Sequence, residues 1–478
     1  MTQRVRINSY TFPDQGSVKK TPGIRTTKPI IMKIDRRKFI KSTTKSLATA
    51  SAFSLVPASV FSKSMKSPSD LLNIAIVGVA GRGRRNLEAL KDENIVAMCD
   101  VDWGERTEEY FKQYPKAKRY KDYRKMFDQQ NDIDAVVIST PDHTHAVIAM
   151  EAMRRGKHVY CEKPLAHTIY ESRMLAEAAK KYNVQTQMGN QGHSWEEIRL
   201  VKEWVEDGLI GDVREVHAWS DRPSLGCCVF SYGMARPEAI ENPPETLDWD
   251  LWLGPAQHRP YNSVYEPFNW RGWVDFGCGA LGDMGCHILD PSFWALELGN
   301  PVSVESSNTN IDEAVIKETY PAAACINYDF PARNGKPPVK LHWYDGALLP
   351  PIPEGMETVG SNGAILVGEK GKIIHGSHGA RGLKVLPEKL LEDYQKPEKT
   401  IPRVDDHHLD WVQACKGGTP ASSNFSYGGP LTEMVLLGVL ATRNKNKKLF
   451  YDGEKMEITN DDKANELINP TYREGWSL

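Results

Sequence analysis

No apolar run in this chain approaches the roughly 18–20 residues needed to cross a bilayer, so no membrane span is expected. Eight cysteines, at positions 99, 161, 227, 228, 278, 286, 325 and 415, include no Cys-x-x-Cys pair. That removes the commonest zinc and dithiol motifs, and nothing in the spacing requires a disulfide. Residues 65–478 hold no internal repeat and no low-complexity tract. Acidic side chains are scarce only at the start. Residues 1–64 carry 13 Lys and Arg against Asp14 and Asp35, whereas the remainder carries 47 basic and 60 acidic side chains. An acidic body lacks the charge that holds nucleic acid or anionic lipid, so no nucleic-acid partner is expected.

The basic start has its own pattern. Asp35-Arg36-Arg37-Lys38-Phe39-Ile40-Lys41, a mildly apolar stretch over 47–61 and small residues at Ala58-Ser59 together look like a twin-arginine export signal. Met32 stands where such a signal begins, which would make residues 1–31 upstream sequence that is never translated. The expected location is periplasmic or otherwise exported. At 478 residues, with 40% hydrophobic and 26% charged side chains, the rest has the size and composition of two globular domains.

From Asn73 onward, apolar runs alternate with helical segments. Strands are expected at 73–77, 95–99, 135–139, 158–160 and 184–188, and helices at 103–114, 122–129, 145–155 and 168–181. The runs show no polar alternation, as in strands buried on both faces. Strands alternating with helices imply right-handed crossovers and a doubly wound parallel sheet. Near residue 212 the character changes. Residues 213–219 alternate, as a strand with one covered face does, and a Pro-, Gly- and Trp-rich stretch fills 222–273. A helix over 279–298 and strands near 302–306, 323–330, 339–344, 364–367 and 372–374 follow, with late helices at 405–416 and 430–443. Few helices between these strands indicate a mainly antiparallel sheet, and hence an α+β second domain.

The first strand runs into Gly78-Val79-Ala80-Gly81-Arg82-Gly83, a glycine turn that opens a helix. In the dinucleotide frame G-x-G-x-x-G, Gly78, Ala80 and Gly83 occupy the three glycine positions, with Gly81 beside the departure at Ala80. Asp100 ends the second strand, 22 residues after Gly78. Its carboxylate suits the ribose hydroxyls of NAD and repels a 2′-phosphate, so NAD is expected over NADP. Arg82, Arg84 and Arg85 are the residues that NADP would use. Residues 70–192 are thus expected to form an NAD-binding Rossmann domain, 193–450 a substrate-binding α+β domain, and 451–478 a C-terminal tail.

The glycine turn and Asp100, with Thr140-Pro141-Asp142-His143-Thr144-His145, Glu162-Lys163-Pro164 and Gly282-Asp283-Met284-Gly285-Cys286-His287, resemble the Gfo/Idh/MocA family over about residues 70–450. This is the family of glucose–fructose oxidoreductase and inositol dehydrogenase. The resemblance implies hydride exchange between a nicotinamide and a sugar or polyol carbon. It places the Lys163 ammonium on the substrate hydroxyl, where positive charge stabilises a developing alkoxide. Pro164 favours an extended backbone at Lys163, aiming it off the strand end. Asp283 and His287, four apart, share one helix face. They read either as a helix contact or as a pair in which His287 takes the hydroxyl proton and Asp283 aligns it. No third ligand accompanies them, so no metal is expected.

Thr140, Pro141, His143, His145 and Glu162 are expected beside the cofactor, with His143 in a structural or helix-start role. Asn190, Gln191 and His193, at the end of the last parallel strand, are candidate hydroxyl binders. Trp219, Trp270 and Trp273 with Arg271 are candidates for stacking on a sugar, tryptophans being otherwise core residues. The expected partner is a small carbohydrate, and a homodimer or homotetramer is expected. An exported enzyme meets no free NAD, so the cofactor is expected to travel tightly bound and to be restored within each cycle. That restoration suits a sugar oxidoreductase and, alternatively, an NAD-dependent glycosidase working by transient sugar oxidation and elimination.

Overall fold

The computed structural model describes residues 70–225, 229–309, 312–395 and 398–478. The twin-arginine leader, Met32, Cys227 and Cys228 lie outside them. The six cysteines among the described residues are all free, and no helix among them is long and apolar enough to cross a membrane.

Six parallel strands form the first sheet: β1 (Asn73–Val77), β2 (Asn94–Cys99), β3 (Lys118–Tyr120), β4 (Ala135–Ile138), β5 (His158–Glu162) and β6 (Thr186–Gly189). Their order is β3-β2-β1-β4-β5-β6, with every neighbouring pair parallel. Ile74, Ala75, Ile76 and all of β4 are fully buried, as continuous apolar runs demand. Each Val or Ile removed from water contributes about 1.5–3 kcal/mol. The order reverses between β1 and β4, so a crevice opens beyond their C-terminal ends, where Gly78 and Thr140 sit.

Local chemistry sets the helix starts. Asp122 caps the helix Tyr123–Gln129 by accepting from the Arg124 N–H. Thr168 and Glu171 form a reciprocal capping box for Ile169–Lys181. The helix after β4 spans Asp142–Arg154, with Pro141 as its N-cap. Asp142, His143, Thr144 and His145 therefore occupy its first turn, three residues earlier than the start at 145 expected from the sequence.

The second sheet has nine strands. They are β7 (Val213–Trp219), β8 (Ser303–Asn308), β9 (Ala324–Phe330), β10 (Val339–Tyr344), β11 (Gly363–Gly368), β12 (Lys372–His375), β13 (Lys384–Leu386), β14 (Lys448–Asp452) and β15 (Glu457–Ile458). The order is β13-β12-β11-β7-β10-β9-β8-β14-β15, antiparallel except for the β7–β10 pair. Val216, Ala218, Ile326, Tyr328, Leu341 and Trp343 are buried, on the side packed by the long helix Phe425–Arg443, which contacts β8 and β9. That helix begins five residues before Pro430. Proline is expected at a helix start because it has no N–H to donate. Here Asn424 caps the true start and Pro430 is carried inside.

Residues 279–298 form two helices rather than one, Gly279–Ile288 and Asp290–Leu296, parted at Leu289 with Pro291 at the second start. The stretch 222–273 has little regular structure. It packs instead through its own aromatic cluster of Leu247, Trp252, Tyr261, Tyr265, Trp270, Trp273 and Phe276, which roofs the crevice. Residues 451–478 also pack onto the fold. Trp476 lies under the Arg124 guanidinium, 4.5 Å from its ring centre, and Arg154 donates to the Leu478 carbonyl.

Candidate active site

Beyond the crevice lies a cavity of about 990 Å³. Its cofactor half is built by the glycine turn. Gly78 has φ +81°, and a Cβ there would stand 2.8 Å from the Ser139 carbonyl group; a Cβ on Gly83 would stand 1.8 Å from the Gly78 oxygen. Both positions exclude any side chain, and the turn's backbone is pressed against the end of β4. Gly81, at φ +59°, is the helix N-cap. Left-handed backbone thus falls at 78 and 81, so the Ala80 departure costs nothing where it stands. Asp100 Oδ2 accepts from the Val79 N–H at 2.8 Å and Oδ1 from Asp102 at 3.1 Å. Burial pushes its carboxyl up, and these hydrogen bonds oppose that shift. Ala80, Gly81, Arg82, Arg84, Arg85 and Asp100 all line the cavity. A close-packed glycine turn at a helix N-terminus, with a carboxylate at the next strand end, fits a dinucleotide.

Glu162 organises the middle. Its Oε1 accepts from Arg82 Nε (2.9 Å), Asn86 Nδ2 (3.0 Å) and Gln191 Nε2 (3.2 Å). Arg82 is therefore tied down inside the turn. Gln191 lines the cavity, but its amide is engaged by Glu162 and the Tyr160 hydroxyl. His145 spans the Pro164 and Thr140 carbonyls at 2.8 and 2.9 Å, clamping the strand end that carries Lys163 to the one that carries Thr140. Thr140, Pro141 and His145 face the cavity.

The reactive half centres on Lys163, Asp283 and His287. Lys163 Nζ donates to the Asp283 carbonyl at 2.5 Å and to Oδ1 at 3.1 Å. Arg271 Nε reaches the same Oδ1 at 3.2 Å, and Arg222 Nε lies 3.6 Å from Oδ2. Burial alone would raise the Asp283 carboxyl; Lys163, Arg271 and Arg222 outweigh it and hold it at about 2. His287 is buried, and its Nδ1 has no hydrogen-bond partner among the described residues. Burial first, then His378 and Lys163, drive its imidazole well below the usual histidine range, so it is neutral near pH 7. Trp270 and Arg271 line this half, with the guanidinium 4.2 Å from the Trp270 ring centre.

Several expected site residues are elsewhere. His143 is buried between the Phe276 and Trp252 carbonyls, 3.3 and 3.1 Å from its ring nitrogens. Burial pushes it down to about 3, and it is a neutral core group behind the cofactor loop. Asn190 donates to Asp290 and accepts from Ser423. His193 Nδ1 meets Asp290 at 3.0 Å with 1% of its surface exposed. Neither lines the cavity, because the chain turns into a 3-10 helix after β6 and sends both side chains into the interior. Trp219 and Trp273 are core residues, exposed by 1% and 0%.

Other residues arrive without a sequence signal. His378 packs against His287, ring centres 3.9 Å apart and planes tilted by 37°, and Arg222, Arg381 and Trp195 complete the wall. The His378 loop is brought there by Gly192 and Gly379. A Cβ on Gly192 would lie 2.4 Å from the Gly379 nitrogen, so the two loops touch backbone to backbone. Paired glycines 187 residues apart are the only trace of this in the sequence.

Profiles of two families match the chain. The one described as "Oxidoreductase family, NAD-binding Rossmann fold" covers residues 72–190. The one described as "Oxidoreductase family, C-terminal alpha/beta domain" covers 196–325 and 339–478. The chain belongs to the Gfo/Idh/MocA oxidoreductase family. Within it, similar proteins include the levoglucosan dehydrogenase of Pseudarthrobacter phenanthrenivorans, 29% identical over 35% of this chain and 34% of that protein. The inositol 2-dehydrogenase/D-chiro-inositol 3-dehydrogenase of Lactiplantibacillus plantarum is 29% identical over 38% of this chain and 51% of that protein. The chain thus spans about a third to a half of the length of the curated relatives it matches. Among solved structures, the WlbA dehydrogenase from Bordetella pertussis, in complex with NADH and UDP-GlcNAcA, has a TM-score of 0.55 at 16% identity. The match covers 80% of this chain and 99% of that one, and it shows the shared fold. The Gfo/Idh/MocA fold, its Rossmann sheet and its NAD-binding character are those the sequence leads one to expect.

Proposed function

We propose that this Gfo/Idh/MocA protein oxidises or reduces a secondary alcohol of a sugar, glycoside or polyol. One juxtaposition carries the reading: an ammonium fixed by Asp283 and a buried neutral imidazole, that of His287, line one cavity with the glycine turn. Residues 78–83 and Asp100 would hold NAD, which when bound would supply the hydride acceptor. Lys163 stabilises the substrate oxygen as negative charge develops on it. His287 takes the hydroxyl proton, its depressed pKa keeping it in the accepting form. Asp283 holds Lys163 and Arg271 in place, and His378, itself pushed down to about 4 by burial, packs the His287 ring without adding charge. Trp270 and Arg271 offer a stacking face and donors to a ring with hydroxyl groups. Relatives named as levoglucosan and inositol dehydrogenases support that substrate class.

The Arg36-Arg37 leader supports export by the twin-arginine route to the periplasm, with NAD loaded before export and kept bound, and the working form is a homodimer or homotetramer. The test is product analysis with a panel of sugars, glycosides and polyols. Keto-sugar formation is expected. Release of an aglycone without net oxidation would assign the protein to hydrolysis, and no turnover on any member would overturn the reading.

A further inference from the structure

The side of the nine-stranded sheet that faces away from the helix Phe425–Arg443 carries a cluster the active site does not use. β7 and β10 run parallel with His217 opposite His342, and Glu215 opposite Lys340. His342 is in turn opposite Asn327 on β9. Residues two apart on a strand share a face, so Glu215, His217, His342 and Tyr344 all project from this side. The imidazoles stack, with centres 5.0 Å apart and planes 18° from parallel. Both aim Nε2 at one atom, Glu215 Oε1, which lies 3.1 Å from His217 and 3.5 Å from His342. The three ligand atoms all lie within 4.8 Å of one another.

The remaining ring nitrogens are engaged. His342 Nδ1 lies 2.6 Å from Asn327 Oδ1, an amide oxygen that only accepts, so the ring proton resides on Nδ1. The Nε2 of that neutral ring is then a lone pair turned toward a carboxylate oxygen. His217 Nδ1 lies 3.1 Å from the Tyr344 hydroxyl, which accepts a ring N–H equally well. The His342 lone pair and the Glu215 carboxylate repel unless positive charge lies between them, whichever tautomer His217 adopts. A proton on one imidazole serves that ring alone, and a second proton would set two like charges face to face. One divalent ion serves all three atoms. A histidine that gives its other N–H to a carbonyl or similar acceptor is the usual outer shell of a metal-bound imidazole.

We propose that Glu215, His217 and His342 bind one divalent transition-metal ion of the zinc class on the sheet face, apart from the catalytic cavity, which none of the three lines. Two imidazoles and a carboxylate suit zinc, cobalt or nickel better than magnesium or calcium. Zinc–ligand bonds of about 2.0–2.1 Å separate neighbouring donors by about 3.0–3.5 Å, the spacing Glu215 already keeps to each ring. With 46% of its side chain exposed, Glu215 leaves the remaining coordination position open to water. The ion would cross-link β7 to β10, strands joined by more than a hundred residues of chain.

The full chain, stripped with a chelator and dialysed, is titrated with zinc chloride by calorimetry and with cobalt(II) followed by its visible absorption. One equivalent of tight binding is expected, with a cobalt spectrum of nitrogen and oxygen donors. His217→Gln and His342→Gln should each lose it, and Glu215→Gln should weaken it ten-fold or more. Uptake no greater than the buffer blank, or unchanged uptake in both histidine variants, would overturn the site. Where a variant fails to fold, X-ray absorption of the zinc-loaded natural chain decides: a shell with two imidazoles supports the site, and one with sulfur or without imidazole refutes it.

Discussion

Lys163 Nζ touches Asp283 twice, at the backbone carbonyl (2.5 Å) and at the carboxylate (3.1 Å). One residue ends a Rossmann strand and the other rides a helix of the second domain, so the ion pair fastens the cofactor half of the site to the substrate half. Lys163→Ala removes the cation that the proposed reaction sets against developing negative charge. Turnover should fall about a hundred- to a thousand-fold, while circular dichroism stays native. Steady-state rates with the best substrate of the panel check this.

Asp283→Asn has a structural effect as well. It leaves Lys163 and Arg271 without the carboxylate they share, while Arg222 keeps its pair with Asp221. Breaking a buried pair of this kind costs about 3–5 kcal/mol, to be read from urea denaturation. The carboxyl is held at about 2 in the fold, below its unfolded value of about 3.9. The stabilisation is therefore complete above pH 4 and lost as pH falls toward 2. The variant should show a flatter loss of stability with acid over that window.

In the proposed reaction His287 acts in its neutral form. Its folded pKa lies well below that of the unfolded chain, which is about 6.5. Below pH 6.5 the unfolded state gains a proton the native state refuses, so stability falls as pH drops through that range. Activity should persist below pH 6.5 and decline only with deeper acid. His287→Gln should lower turnover by at least a hundred-fold and leave the residual rate without that acid limb. A kcat/KM profile of both proteins separates proton transfer from a packing role.

The glycine turn separates two kinds of substitution. Gly83→Ala drives a methyl into the Gly78 carbonyl and should abolish nucleotide retention or folding. Ala80→Gly, which relieves no contact, should retain bound NAD at the natural level, give or take about two-fold. Nucleotide content after gel filtration checks both.

The histidine after β6 has a structural role. His193→Ala deletes a buried partner of Asp290 and should cost about 2–3 kcal/mol of stability, with kcat/KM of the folded fraction nearly unchanged. A selective rise in KM would return His193 to the substrate site.

The parallel sheet was legible because β1 and β4 are buried on both faces, which imposes unbroken apolar runs. β3 escaped notice: Lys118 and Arg119 are exposed on an edge, where no hydrophobic pattern is needed. The helix Glu196–Glu206 and the last three strands carried no flag comparable to a glycine turn. Lys163, Asp283 and His287 were legible because each sits in a short motif at a strand end or on a helix. His378, Arg222 and Arg381 were not, since their placement depends on distant loops meeting. Asn190 and His193 show the converse, as polar residues at a strand end that the next turn of chain directs inward.

The most direct measurement takes the protein as purified, adds no nucleotide, exposes it once to a panel substrate, and then denatures it. Released nucleotide and keto product are quantified together. Near one NAD(H) per chain and a matching amount of keto product from the natural protein, with full NAD but no keto product from Lys163→Ala, is the predicted result. A chain that emerges empty, or one that carries NAD and oxidises no member of the panel, would contradict it.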